Sequence, residues 1–278
     1  MIRKAAIISI KGTSLSSLEM RLLKKEKPWG VILFKRNIIS FEQTKVLTKK
    51  IRRCLNDPFY PIIIDEEGGK VSRLSEIFST SEFSQHFFGK LYEKNKSKGR
   101  LIYKYYLETI CNILIDLGIN INTIPVMDLL QKSTHQIIKE RSYSNKHDTI
   151  RSLGNFCISF LKDKKIASVA KHAPGHGCAN ADSHLKLPIV FKKSSKLFRE
   201  DFKLFNNINS NFLMTAHVLY KKIDSKNLAT FSSHIINKII RKKLNFKGII
   251  ISDDISMKAL KKNLSLNAEK ALNAGCNL

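Results

Sequence analysis

Gly248-Ile249-Ile250-Ile251-Ser252-Asp253-Asp254-Ile255-Ser256-Met257 runs from an unbroken β-branched stretch straight into two carboxylates. Three isoleucines without polar alternation read as a strand buried on both faces. The acid that follows stands at the strand's end, held by stiff neighbours. Such fixed aim suits a nucleophile, because a misplacement of about 1 Å can cost on the order of 100-fold in rate. The same residues also read as a cap, since Ser252, Asp253 or Asp254 could each accept from the first N–H groups of a following helix. The two readings are compatible if one Asp is chemical and the other structural.

The pattern recurs along the chain. Short apolar runs predict strands over 5–10, 30–34, 61–65, 119–124, 166–171, 212–217 and 248–252. Amphipathic stretches between them, such as 41–55, 98–117, 146–161, 194–206 and 232–244, predict helices. This alternation implies a parallel sheet with helices outside it. Nearly every predicted strand ends in polar residues: Asp65-Glu66-Glu67-Gly68-Gly69, Lys171-His172, His217 and Asp253-Asp254. Functional groups delivered by several strand ends point to a (β/α)8 TIM-type barrel rather than an open sheet. No Gly-x-Gly-x-x-Gly follows the first strand, which weighs against dinucleotide binding. No repeat or Gly/Pro-rich linker divides the chain, so residues 1–278 are expected to form one domain. An eighth strand would begin near Cys276-Asn277-Leu278, so the expected barrel lacks most of that strand and its C-terminal helix, leaving two sheet edges unpaired.

Bulk composition narrows the classes. The apolar fraction of 43% is ordinary for a globular protein. Cys54, Cys111, Cys157, Cys178 and Cys276 include no Cys-x-x-Cys pair, which disfavours a zinc site or disulfide framework and suits a reducing compartment. Arg3 and Lys4 before Ala5-Ala6-Ile7-Ile8-Ser9-Ile10 imitate a leader, but the run is six residues long and no small-residue cleavage site follows. It reads as a buried strand, and with no apolar stretch near membrane-spanning length the expectation is a cytoplasmic protein. The net charge of +26 is spread along the chain beside Asn and Ile, which reads as a solvated basic surface rather than a nucleic-acid site.

The densest polar segment is Lys171-His172-Ala173-Pro174-Gly175-His176-Gly177-Cys178-Ala179-Asn180-Ala181-Asp182-Ser183-His184. Its Pro, Gly and small residues predict a loop with room to move. In extended chain, residues i and i+2 project to one side, so Asp182 could hold one nitrogen of His184 and raise the basicity of the other. The competing readings are a polar surface loop and, less well supported by ligand spacing, a metal site. Near Asp65, the paired glycines allow a sharp turn and close approach to a ligand; Asp65 could bind sugar hydroxyls, with Arg73 helping or pairing with it. Taken alone, such an acidic turn is more often a solvated loop, and Glu140-Arg141-Ser142-Tyr143 carries less signal still.

Together these segments resemble the family 3 glycoside hydrolases, specifically the bacterial β-N-acetylhexosaminidases that recycle cell-wall fragments. The likeness runs in order from Gly30-Val31-Ile32-Leu33-Phe34-Lys35-Arg36-Asn37 to Ala274-Gly275-Cys276, with Lys-His-x-Pro-Gly-His-Gly-x4-Asp-Ser-His and Ser-Asp-Asp-x-Ser-Met as its most specific parts. The resemblance implies a barrel, Asp253 as nucleophile, His184 as acid/base and Asp182 as its partner. It further implies sugar-binding roles for Asp65, Arg73, Arg141, Lys171 and His172, with no cofactor and no metal. The implied substrate is a small carbohydrate, an N-acetylglucosaminyl-anhydro-muropeptide, handled by a cytoplasmic monomer with no nucleic-acid or membrane partner. Ala173 departs from the family's usual bulky residue, which predicts looser packing beneath the loop.

The expected reaction is a retaining double displacement that removes terminal β-linked N-acetylglucosamine. Its rivals are a family 3 β-glucosidase of broader specificity, separable with paired chromogenic glycosides, and a shortened barrel that keeps the motifs without activity.

Overall fold

The structure, a computed structural model, describes residues 2–131, 134, 139–179, 187–260 and 263–278. Seven strands form a curled parallel sheet: β1 (Lys4–Ser9), β2 (Pro28–Leu33), β3 (Ile62–Ile64), β4 (Ile121–Asn122), β5 (Ala167–Ala173), β7 (Phe212–Thr215) and β9 (Ile249–Ile251), paired in that order. Each is one of the expected strands, with ends shifted by a few residues. Two short strands, β6 (Ile189–Val190) and β8 (Leu219–Tyr220), pair separately and were not expected.

Alternation along the strands builds two apolar layers. Val31, Leu33, Ile62, Ile64 and Ile250 point outward into the large core beneath the helices. Ile32, Ile63, Ile121, Met214 and Ile251 point inward and meet on the concave side. Register keeps the inner layer continuous: Ile32 lies opposite Ile63, Ile63 opposite Ile121, and Met214 opposite Ile251. Burial on both faces explains the absence of polar alternation in these strands. At the strands' N-terminal end, Trp29 and Phe212 meet edge to face at 5.4 Å.

The sheet is not closed by a full eighth strand. Asn277 N–H donates to the Ile250 carbonyl at 2.7 Å, and Ser252 N–H to the Leu278 carbonyl at 3.0 Å. Residues 277 and 278 thus occupy the first ladder positions beside β9, where the eighth strand was expected to begin.

Among the described residues, the α-helices are α1 (Ser17–Glu26), α2 (Phe41–Leu55), α3 (Gln85–Lys94), α4 (Lys96–Asp116), α5 (His147–Asp163), α6 (Ser194–Glu200) and α7 (Leu264–Ala274). In α2, Thr44, Leu47, Thr48, Ile51 and Leu55 form the buried stripe. The Ser40 hydroxyl accepts from Gln43 N–H at the start, and Asn56 ends the helix in the left-handed region at φ 49°. Two expected helices differ in winding. Over 194–206, α6 gives way to a 3-10 turn at Phe202–Phe205, where residues three apart share a face and Phe202 and Phe205 both bury. The 232–244 stretch winds as a π-helix over His234–Lys243, burying Ile235, Ile236, Ile239 and Ile240. Among the described residues, no helix is long and apolar enough to cross a membrane.

Candidate active site

Because the sheet is parallel, all its strands end on one face. Asp65 follows β3, Thr123 follows β4, Lys171 and His172 lie within β5, and Asp253 follows β9. These residues, joined by Arg141, line one cleft of about 680 Å³. Its floor is the inner apolar layer, including Ile63, Met214 and Ile251.

A web of buried ion pairs organises one wall. Lys171 Nζ lies 2.6 Å from Asp65 Oδ1, 2.5 Å from Glu67 Oε1 and 2.9 Å from the Thr123 hydroxyl. Arg141 grips Glu67 with two parallel hydrogen bonds of 2.7 and 2.8 Å. Arg73 Nη2 reaches Asp65 Oδ2 at 2.5 Å, so Arg73 takes the pairing role foreseen for it. Burial alone would raise the pKa of Asp65, but Lys171 and Arg73 outweigh it and hold the carboxyl well below the usual range. Arg141 and Lys171 do the same for Glu67. Both carboxylates are therefore ionised at neutral pH.

His172 is fixed from both sides. Its Nδ1 lies 2.7 Å from Asp128 Oδ2, and its Nε2 lies 3.2 Å from Arg141 Nη2. A guanidinium only donates, so Nε2 accepts and the ring proton sits on Nδ1, donated to the carboxylate. Asp128 also accepts from His176 N–H at 2.6 Å. Burial pushes the His176 imidazole down to about 4, against the pull of Asp128, so this ring stays neutral.

Asp253 lies half-buried in the cleft, its Oδ1 accepting from Asp254 N–H at 2.8 Å. Burial would raise its pKa, but His217, His172, the Asp254 N–H and Lys171 together hold it below the ordinary value. Asp254 instead turns its carboxylate to Ser256, accepting from that residue's N–H and hydroxyl at 2.8 and 2.6 Å. Asp254 thus closes a local turn rather than capping a helix, since the next helix starts only at Leu264 with Asn263 as its cap. Beneath them, His217 Nε2 donates to the Asp254 carbonyl at 3.0 Å, and its Nδ1 accepts from the Thr230 hydroxyl at 2.8 Å. Burial lowers the His217 pKa despite the nearby Asp253. At neutral pH an uncharged Nε2–H ring matches both contacts, and its pull on Asp253 is that of the ring protonated in acid.

Two expectations change. Residues 171–179 are all buried, so this half of the glycine-containing loop is held firmly rather than having room to move. The peptide bonds Lys171–His172 and Ala173–Pro174 within it are cis. The Gly68-Gly69 turn makes its close approach to protein, not to the cleft. Gly68 has φ 80°, and a Cβ there would stand 2.4 Å from the Phe83 carbonyl oxygen. Glu66 shapes this turn, accepting from the N–H groups of Gly68, Arg73 and Leu74. Asp182 and His184 lie outside the described residues. Among the described residues, no group of three His, Cys, Asp or Glu is placed to hold a metal ion.

Sequence reasoning singled out Asp65, Arg73, Arg141, Lys171, His172 and Asp253, and the structure brings all of them together. It passed over Glu67, Thr123 and Asp128 as site residues. Asp128 carried a usable signal: like Asp253 it follows an apolar run, Ile124-Pro125-Val126-Met127, just past a strand.

Comparisons with known proteins identify the family. The family model for the glycosyl hydrolase family 3 N-terminal domain matches residues 5–278. A beta-hexosaminidase of Psychromonas ingrahamii is 33% identical over 99% of this chain and 81% of its own length. One of Haemophilus ducreyi is 34% identical over 98% of this chain and 79% of its own. Among solved structures, NagZ from Neisseria gonorrhoeae in complex with N-trifluoroacetyl-D-glucosamine superposes with a TM-score of 0.88 at 27% identity, covering 99% of this chain and 80% of that one. With its barrel face, its cleft and this full-length match, the chain belongs to glycosyl hydrolase family 3 and is a glycoside hydrolase.

Proposed function

We propose that this protein is a retaining exo-β-N-acetylglucosaminidase that releases terminal β-linked N-acetylglucosamine from peptidoglycan-derived muropeptides, acting as one domain over residues 1–278. The observation that carries the reading is the convergence of Asp253 with the Asp65–Lys171–Arg141–His172 cluster in one cleft. The names of the relatives supply the substrate class.

In this mechanism the ionised Asp253 attacks the anomeric carbon while protonated His184 gives its proton to the departing oxygen. A covalent glycosyl-enzyme results. Neutral His184 then takes a proton from water, whose oxygen displaces Asp253 and releases the sugar with its original anomeric configuration. Asp182 orients the imidazole by holding its other nitrogen. Asp65, Arg73, Arg141, Lys171 and His172 grip the sugar hydroxyls; their mutual ion pairs hold donors and acceptors in place before substrate arrives. A low pKa at Asp253 fits a nucleophile, and no cofactor or metal is required. The five cysteines carry free thiols, which fits work as a monomer in the reducing cytoplasm.

The test is covalent trapping. A fluorinated N-acetylglucosaminyl donor should leave one sugar on the peptide containing Asp253, as read by mass spectrometry. A label on another residue would overturn the assignment.

A further inference from the structure

Three acids follow β3 in a row, and the middle one takes no part in the ion pairs. Successive side chains of extended chain point to opposite sides. Asp65 accordingly lines the cleft, while Glu66 is buried away from it.

Five donors close on the Glu66 carboxylate. Oε1 accepts from Gly68 N–H and from the Thr80 hydroxyl, both at 3.1 Å. Oε2 accepts from Arg73 N–H at 2.6 Å, Leu74 N–H at 2.9 Å and the Ser72 hydroxyl at 3.2 Å. Burial raises the pKa of this carboxyl, and the hydrogen bonds from Leu74, Arg73, Thr80 and Ser72 oppose that rise. The backbone of Glu66 is held as well. Its N–H donates to the Asn122 side-chain oxygen at 3.1 Å, and its carbonyl accepts from Asn122 Nδ2 at 3.0 Å. One side chain therefore fastens residues 72–74 to the ends of β3 and β4.

Arg73 is where this matters for the cleft. Its N–H makes the shortest of the five bonds to Glu66. Its guanidinium then runs back past the Phe34 ring, 5.8 Å from the centroid, to Asp65 Oδ2 at 2.5 Å. Two neighbouring acids thus hold one arginine, Glu66 by its backbone and Asp65 by its head group. A long, flexible side chain repeats the same reach only if its Cα is fixed.

We propose that Glu66 is a positioning residue for sugar binding: its carboxylate fixes the backbone at Arg73 and so holds the Arg73 guanidinium and the Asp65 carboxylate at the spacing that grips the sugar hydroxyls. This rests on the sugar-binding reading of Asp65 and Arg73 given above.

The experiment measures KM and kcat for p-nitrophenyl β-N-acetylglucosaminide with Glu66→Met, Glu66→Gln, Arg73→Met and the double variant Glu66→Met/Arg73→Met. Methionine keeps the bulk and removes every acceptor. Glutamine can keep its oxygen toward Arg73 and Leu74 while its amide group donates to the Thr80 hydroxyl, losing only the Gly68 bond. Glu66→Met and Arg73→Met are each expected to raise KM by about 10-fold with kcat changed less than about three-fold, the mark of lost ground-state binding. Glu66→Gln should raise KM by less than about three-fold. The double variant should be no worse than Arg73→Met, because the two residues act through one contact. Additive losses in the double variant, a loss confined to kcat, or an unchanged KM in Glu66→Met would overturn the proposal. An unchanged KM in Arg73→Met would sink the sugar-binding reading of that residue and the proposal with it. A raised KM in Arg73→Met beside an unchanged one in Glu66→Met sinks the proposal alone. If Glu66→Met fails to fold, Glu66→Asp, which keeps the charge but withdraws it from Arg73 N–H by one carbon, decides in the same pairing with Arg73→Met.

Discussion

The ammonium of Lys171 stands 2.5 Å from the carboxylate of Glu67, with side chains 2% and 1% exposed. Neither charge could be buried alone. Arg141 completes the neutralisation of Glu67, and Asp65 that of Lys171. Replacing Glu67 by Ala leaves Lys171 and Arg141 short of a counter-charge in a sealed setting. The expected cost is about 3–5 kcal/mol of folding stability. Urea denaturation, comparing midpoints at equal slope, measures it.

Asp253→Asn keeps the shape of the side chain and its contact with the Asp254 N–H through the remaining oxygen. It removes the charge that is proposed to attack carbon. Turnover should fall on the order of 10⁴-fold or more, while the thermal midpoint stays within a few degrees of the parent. Steady-state kinetics with calorimetry checks both.

His217 holds the carbonyl of Asp254, whose N–H in turn holds Asp253. His217→Ala frees that peptide and leaves the Thr230 hydroxyl one partner short. We expect kcat to drop by about 10- to 100-fold with KM little changed, since the proposed sugar contacts lie on other strands. A rise in KM alone would show that His217 serves binding instead.

The pH dependence of stability contains two opposed contributions. Asp65, Glu67, Asp128 and Asp253 have folded pKa values below their unfolded ones. Their stabilisation is present above about pH 4 and is lost as pH falls through the folded values. Asp201 is the reverse: its carboxyl moves from 3.8 to about 7, so ionisation destabilises the fold progressively across that interval. Asp201→Asn should therefore gain stability relative to the parent as pH rises from 4 to 7, by up to about 4 kcal/mol before lost hydrogen bonds are counted. Thermal melts at pH 4, 5.5 and 8 test the trend; a constant difference would refute it.

Strands were legible because burial on both faces leaves a local mark, as at Ile249–Ile251, and helix α2 because its apolar stripe and Ser40 cap are local too. The acids and cations at strand ends could be picked out once the parallel order was inferred. Their partners could not. Arg141 finds Glu67 across 74 residues and His172 finds Asp128 across 44, distances at which no periodicity survives. The π winding over His234–Lys243 was equally hidden, because its spacing of isoleucines also suits an ordinary helix.

The reach from Lys171 back to Asp65 spans 106 positions, and Asp253 arrives only with the last strand of the sheet. No short stretch contains a working fraction of the chemistry. During refolding, turnover should appear with the final ordering step and not before, well after helical circular dichroism has recovered. Sugar release is thus a stricter gauge of native assembly than any spectroscopic signal from the helices.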